Sequence, residues 1–254
     1  MRTQTLEYRE GDKLLRGFLA WDNSRSKPQP GILVFHENSG LTDHERERAT
    51  RLAELGYVSL ACDMFGERPI AASEAERRAA FEEFRTKRLL PRALAGFDAL
   101  SARPQVDRKR LAAIGFCLGG MVALELARSG ADLKGVVSFH GGLATTHHAA
   151  AGQVKAKVLV CHGALDPFTT LEHVPLLRTK CTPPQWIFRW SSMAGQCTAL
   201  PIRQRIASAD RASHIMRRRM SDRGPRCASS LRSYSVRNPK RVAPLRCGEA
   251  DTLQ

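Results

Sequence analysis

The sequence predicts an α/β fold, a doubly wound and mostly parallel sheet, followed by an anomalous C-terminal tail. Three observations carry this reading. Short runs that are apolar on both faces recur along the first two thirds of the 254 residues, which suits strands inside a parallel sheet covered by helices. Segments with helical punctuation lie between those runs, and such alternation is the pattern of βα units. After about position 174 both patterns stop.

The strand candidates are G-I-L-V-F-H at 31–36, Y-V-S-L-A-C at 57–62, L-A-A-I-G at 111–115, G-V-V-S-F at 135–139 and K-V-L-V-C at 157–161. Thr42 or Asp43 can cap a helix running to Leu55. Gly56 stands just past its end, where a left-handed residue commonly closes a helix. Residues 73–88 read as a charged, exposed helix, and 91–101 and 118–128 as two more, the last closed by Gly130.

Charge divides the chain in the same place. Lys and Arg number 40 against 25 Asp and Glu, a net +15. Residues 1–174 hold 24 against 21, or +3, and residues 175–254 hold 16 against 4, or +12. The reading is therefore a core over 1–174 and a basic, aperiodic, poorly ordered tail over 175–254. The run Arg217-Arg218-Arg219 suggests an alternative, a non-catalytic protein with a nucleic-acid-binding tail. The aromatics that would stack on bases are sparse there, at Trp186, Phe188, Trp190 and Tyr234, so nucleic acid is not the expected partner. Seven cysteines without a C-x-x-C pair argue against a disulfide framework and against zinc, and no metal is expected. No apolar run approaches the roughly 20 residues of a membrane span. The N-terminus carries no apolar signal region, and a cytoplasmic location is expected.

Chemistry concentrates in three segments. G-F-C-L-G-G at 115–120 sits between a strand run and a helical run, the context of a nucleophile elbow with Cys117 as nucleophile. At a helix N-terminus the macrodipole favours the thiolate that attacks. The backbone N–H of Leu118 is placed to meet the oxyanion of an acyl-transfer intermediate. His36-Glu37-Asn38 follows the strand at 31–35, and the loop after that strand supplies the second oxyanion N–H. A carboxylate there can also pair with the thiol. Asp166 lies a few residues past a late strand, where the acid of a nucleophile–acid–histidine triad sits.

These segments, with C-D-M-F-G at 62–66 and H-G-A-L-D-P at 162–167, resemble the dienelactone hydrolase family, which has the α/β-hydrolase fold, over about residues 5–174. The resemblance implies hydrolysis of a small lactone or ester by a cysteine nucleophile, without metal or organic cofactor. It implies Cys117 as nucleophile, Asp166 as triad acid and Glu37 as the group restraining the thiol. It implies the backbone at Asn38 and Leu118 as the oxyanion hole. Arg68, two residues past Gly66, would bind a substrate carboxylate.

The resemblance breaks at the base. The family pattern places a histidine about thirty residues after the acid, in a segment like G-G-x-x-H-x-F, and this sequence has none. Its histidines are 36, 44, 140, 147, 148, 162, 173 and 214. His140 and His162 are strand-end residues that read as packing or loop-facing, and His214 lies in an Arg-rich stretch without strand context. The segment in the expected place reads W-S-S-M-A-G-Q-C-T-A-L-P from Trp190. Synonymous codons read from the third base of that tryptophan codon give V-F-Y-G-G-A-M-H-S-F-T, with the histidine near position 197. Met has one codon and Ala codons begin GC, so the first glycine is forced; the histidine codon can encode only His or Tyr. The expectation is that residues after about Val174 are translated out of frame, leaving the triad without its histidine and the sheet with a bare edge. Resequencing the source DNA across about codons 170–205 is expected to reveal an added or missing base near codon 174. An unbroken frame would overturn that reading.

Overall fold

The structure is a computed structural model that describes residues 1–66, 73–145, 148–163, 166 and 186–191. Its elements run β1 (Arg2–Glu10), β2 (Lys13–Trp21), β3 (Gln29–Phe35), α1 (Asp43–Glu54), β4 (Val58–Cys62), α2 (Glu74–Glu83), a π-helical turn (Phe84–Arg88), α3 (Leu89–Ser101), β5 (Val106–Phe116), α4 (Leu118–Arg128), β6 (Gly135–Phe139), β7 (Lys157–Gly163) and β8 (Trp186–Ser191). All eight strands form one sheet in the order β1-β2-β4-β3-β5-β6-β7-β8. Only β2 runs against its neighbours, and every pairing from β4 to β8 is parallel.

Each inner strand alternates between two cores, which is why its sequence is apolar throughout. Ile32 and Val34 of β3, Ile114 of β5 and Val137 of β6 meet Ala49 and Leu52 of α1 on one face. Leu33, Leu111 and Val136, from the same strands, meet Leu100 of α3 and Val122 and Leu126 of α4 on the other. Helices therefore cover both faces, as a doubly wound sheet requires. α1 begins with a capping box: the Thr42 hydroxyl accepts from the backbone N–H of His44, and the Glu45 carboxylate accepts from that of Thr42. It closes at Gly56, whose φ of 91° is open to glycine at no steric cost.

The structure adds two pieces that apolar runs did not announce. β1 and β2 form a hairpin turning at Gly11, which has φ 55°. β1 is the sheet edge and most of it is exposed, so it lacks an apolar run, and its charged residues suit an edge that must not recruit further strands. At the other end, β8 pairs with β7 from Val158↔Trp186 to Gly163↔Ser191. The expected bare edge beside β7 is thereby corrected, because W-I-F-R-W-S is rich in residues that favour strands. The rest of the 175–254 segment, with the expectation that it is poorly ordered, lies outside the described residues. The charged helix at 73–88 is α2 followed by the π-helical turn, where buried Phe84 meets the Phe65 ring at 5.0 Å. Among the described residues no helix is long and apolar enough to cross a membrane.

α4 also buries a charge pair. Arg128 donates to the Glu125 carboxylate at 2.6 Å, the two side chains being 5% and 8% exposed, and to the Leu143 carbonyl at 3.3 Å. Burial holds the guanidinium below its ordinary value, with Glu125 opposing that shift. Removing one partner strands the other charge in the core. Glu125→Ala is expected to cost about 3–5 kcal/mol in urea denaturation followed by circular dichroism. A cost within the range of an exposed pair, under about 1 kcal/mol, would show that water reaches the guanidinium.

Candidate active site

Strand register determines which residues meet at the carboxyl end of the sheet. Phe35 of β3 lies opposite Gly115 of β5, so Glu37 and Cys117, each two residues further on, leave the sheet at the same level. Phe116 lies opposite Phe139 of β6, which puts His140 level with Cys117. Phe139 lies opposite Cys161 of β7, which adds His162. Parallel neighbours stand about 4.8 Å apart, so these four residues form one row along the sheet edge.

The row is held close by glycines. A Cβ at Gly115 would collide with the backbone of Gly119, and one at Gly119 with the carbonyl groups of Phe35 and His36. At Gly120 it would come within 2.6 Å of the Ser138 hydroxyl and 2.9 Å of the Gly141 Cα. The helix start thus seats against β3 on one side and the end of β6 on the other. The turn between β5 and α4 must reverse within one residue, and Cys117 takes φ 53° and ψ −116° to do so. Among the described residues only Cys117 and His140, at φ 41°, are non-glycine residues with positive φ. Strain of this kind persists only where the surroundings over-determine it. Here the Cys117 N–H donates to the Phe139 carbonyl at 2.9 Å, and its own carbonyl accepts from the N–H groups of Gly120 and Met121.

Leu118 is the first residue of α4. Its N–H is the first of the helix and has no carbonyl one turn earlier within α4 to bond. Glu37 and Asn38 occupy the turn after β3, closed by the Gly40 N–H donating to the Glu37 carbonyl at 3.3 Å. Asn38 is exposed and Glu37 partly so. Fully buried His36 fastens this turn. Its Nε2 accepts from the Met64 N–H at 3.0 Å, and a backbone N–H can only donate, so the ring proton sits on Nδ1. Nδ1–H donates to the Glu37 carbonyl at 2.6 Å, and His36 is the neutral tautomer. The loop after β4 is braced in turn. Asp63 accepts from the N–H groups of Phe65 and Gly66 at 2.9 and 2.8 Å, and Arg92 donates to the Met64 carbonyl at 2.8 Å. Sequence reading quoted His36 without giving it a role of its own and passed over Arg92. The signal for His36 was its place at a strand end beside the candidate acid; Arg92, on a distant helix, gave none.

Asp166 is buried, and its Oδ2 lies 3.7 Å from His162 Nε2. His140 Nε2 lies 3.7 Å from Glu37 Oε1. Both histidines were read as packing or loop residues, and both instead stand within ion-pair range of a candidate acid. Arg68, His147, His173 and His214 fall outside the described residues. A cleft of about 250 Å³ opens between the π-helical turn, the start of α3 and α4, lined by Arg85, Lys87, Leu90, Met121, Glu125 and Thr145 among others. Met121 is one helical turn beyond Cys117. Among the described residues no group of three or more His, Cys, Asp or Glu could hold a metal ion.

A family model described as the dienelactone hydrolase family matches residues 15–213. Among solved structures, the dienelactone hydrolase-like promiscuous phosphotriesterase P91 from metagenomic libraries is 39% identical. The match covers 75% of this chain and 81% of that one with a TM-score of 0.66. An uncharacterised protein of Caenorhabditis elegans is 45% identical over 60 residues, 23% of this chain and 38% of that protein. A Yersinia pestis protein assigned as a carboxymethylenebutenolidase is 26% identical over 180 residues, 66% of this chain and 67% of that protein. The chain thus spans well under half the length of the first of these two relatives and two thirds of the second.

Proposed function

The chain belongs to the dienelactone hydrolase family of hydrolases, and from that premise we propose that Cys117 is the nucleophile of a covalent acyl transfer that opens small lactones or esters. The observation that carries this is the strained elbow: a cysteine at the N-terminus of α4, held at φ 53° in one row with Glu37 and His140. Cys117 stands at a helix N-terminus, where the macrodipole favours a thiolate, and is only partly buried. Cys62, by contrast, is fully buried, and burial pushes its thiol far up.

In this reading Glu37 restrains the thiol until substrate arrives. The thiolate of Cys117 attacks the carbonyl carbon, forming a C–S bond while the C=O pair moves onto oxygen. The N–H groups of Leu118 and Asn38 hold that oxyanion. Collapse breaks the C–O bond of the ring or ester, the departing alkoxide takes a proton, and the thioester left on Cys117 is cleaved by water. Asp166 is the triad acid, and Arg68 binds a substrate carboxylate. No metal or organic cofactor enters these steps.

The proton steps need a histidine between Asp166 and the Cys117 thiol, a role the resemblance does not give to His162 beside Asp166, and the family's histidine segment is missing from the sequence. We propose that the out-of-frame segment removed it. Loss of one triad member leaves a residual rate from the oxyanion hole and binding, lower by about 10⁴–10⁶-fold. Aryl-ester hydrolysis by this chain is expected to fall short by about that factor of a frame-restored variant with a histidine near position 197. Mass spectrometry of peptides is expected to find the acyl group on Cys117 and none in Cys117→Ala. Equal rates for the two chains would overturn the missing-base reading, and an unmodified Cys117 the nucleophile assignment.

A further inference from the structure

His140 is held as firmly as the elbow itself. Its N–H donates to the Cys161 carbonyl of β7 at 2.8 Å, and the preceding carbonyl, that of Phe139, accepts the Cys117 N–H at 2.9 Å. The following residue, Gly141, has no room for a side chain: a Cβ there would stand 2.5 Å from the Ser138 hydroxyl and 2.7 Å from the Gly120 carbonyl carbon. With the backbone fixed on three sides, His140 keeps φ 41°, a conformation that only a few per cent of non-glycine residues adopt. The product of that strain is a direction. The imidazole is turned back toward β3, its side chain only 9% exposed, with Nε2 3.7 Å from Glu37 Oε1. That distance exceeds a hydrogen bond and lies within ion-pair range. A histidine that merely filled space at a strand end would not need a left-handed backbone or an aim at a carboxylate.

We propose that His140 is a positioning residue that holds the Glu37 carboxylate beside the Cys117 elbow and offsets its charge, and so sets how strongly Glu37 restrains the thiol. This rests on the reading of Cys117 as nucleophile and Glu37 as its restraint. An uncompensated carboxylate beside a thiol disfavours the thiolate. A protonated His140 offsets part of that charge, and the thiol is released more readily. His140 therefore acts through Glu37 and does not touch the reacting carbon.

The test is the rate of Cys117 alkylation by iodoacetamide at neutral pH, read peptide by peptide, with buried Cys62 as an internal control. It does not depend on turnover. His140→Asn removes the imidazole and keeps a residue that tolerates the left-handed backbone; circular dichroism and thermal melting check the fold of each variant. His140→Asn is expected to slow Cys117 alkylation about tenfold, the change produced by a shift of about one pH unit in the thiol. Glu37→Gln is expected to speed it, and adding His140→Asn to Glu37→Gln is expected to change nothing further. A slowing of equal size with and without Glu37 would overturn the proposal in favour of direct contact with the thiol. Faster alkylation in His140→Asn would overturn it in favour of a loosened turn, and an unchanged rate would overturn it outright. Failure of the nucleophile reading shows separately, as absence of acyl mass on Cys117 after exposure to aryl ester, and leaves the alkylation comparison readable.

Discussion

Backbone lies directly against backbone where α4 begins, and the arrangement at the sheet's carboxyl edge depends on that contact. Gly119 abuts the carbonyl groups of Phe35 and His36, Gly115 abuts Gly119, and Gly120 abuts Gly141. Interiors pack close to the limit of atomic contact, so one methyl group at any of these positions has nowhere to go. The approach brings the ends of β3, β5 and β6 together and leaves Cys117 as the residue that absorbs the reversal of the chain. Its φ of 53° is the conformational cost of that reversal, and the flanking glycines are what make the reversal possible. The row of Glu37, Cys117, His140 and His162 then follows from parallel register alone.

Much of this was legible because the signals are local. The inner strands announce themselves through apolar runs, since both faces are buried. α1 announces itself through Thr42, Asp43 and Gly56, and α4 through its boundaries at Leu118 and Arg128, which the structure reproduces. The elbow is also local, because glycines at fixed offsets from a cysteine specify a turn. What was not legible is what the chain brings together from afar. His140 read as a packing or loop residue because nothing near it in sequence names Glu37, 103 positions before it, as a neighbour. Cross-strand register supplies that link, and register depends on pairing partners that the sequence does not state. β1 was missed for a different reason: an edge strand exposes most of its side chains and so carries no run.

Two cysteines at the ends of strands that flank β3 show how placement decides chemistry. Cys62 ends β4 and Cys117 follows β5, and both strands flank β3. Cys62 faces the core beneath Gly96, whose Cβ would lie 3.0 Å from its sulfur, and the apolar surroundings disfavour its thiolate. Cys117 stands one residue past its strand, on a helix N-terminus. A shift of one or two positions along a strand separates a packing thiol from a candidate nucleophile.

The same distinction bears on the C-terminal segment. Strand pairing is made by backbone groups, which every residue except proline supplies in full, and side chains add only a preference. W-I-F-R-W-S can therefore extend the sheet beside β7 whatever reading frame produced it, and β8 does not discriminate between frames. A general base is a different demand. It needs one side-chain type at one place, and no backbone pairing substitutes for an imidazole. A change of frame can therefore leave a sheet edge covered while removing the group that moves the proton. A fold can tolerate such a change for the same reason that a catalytic site cannot: one is built from what all residues share, the other from what distinguishes them.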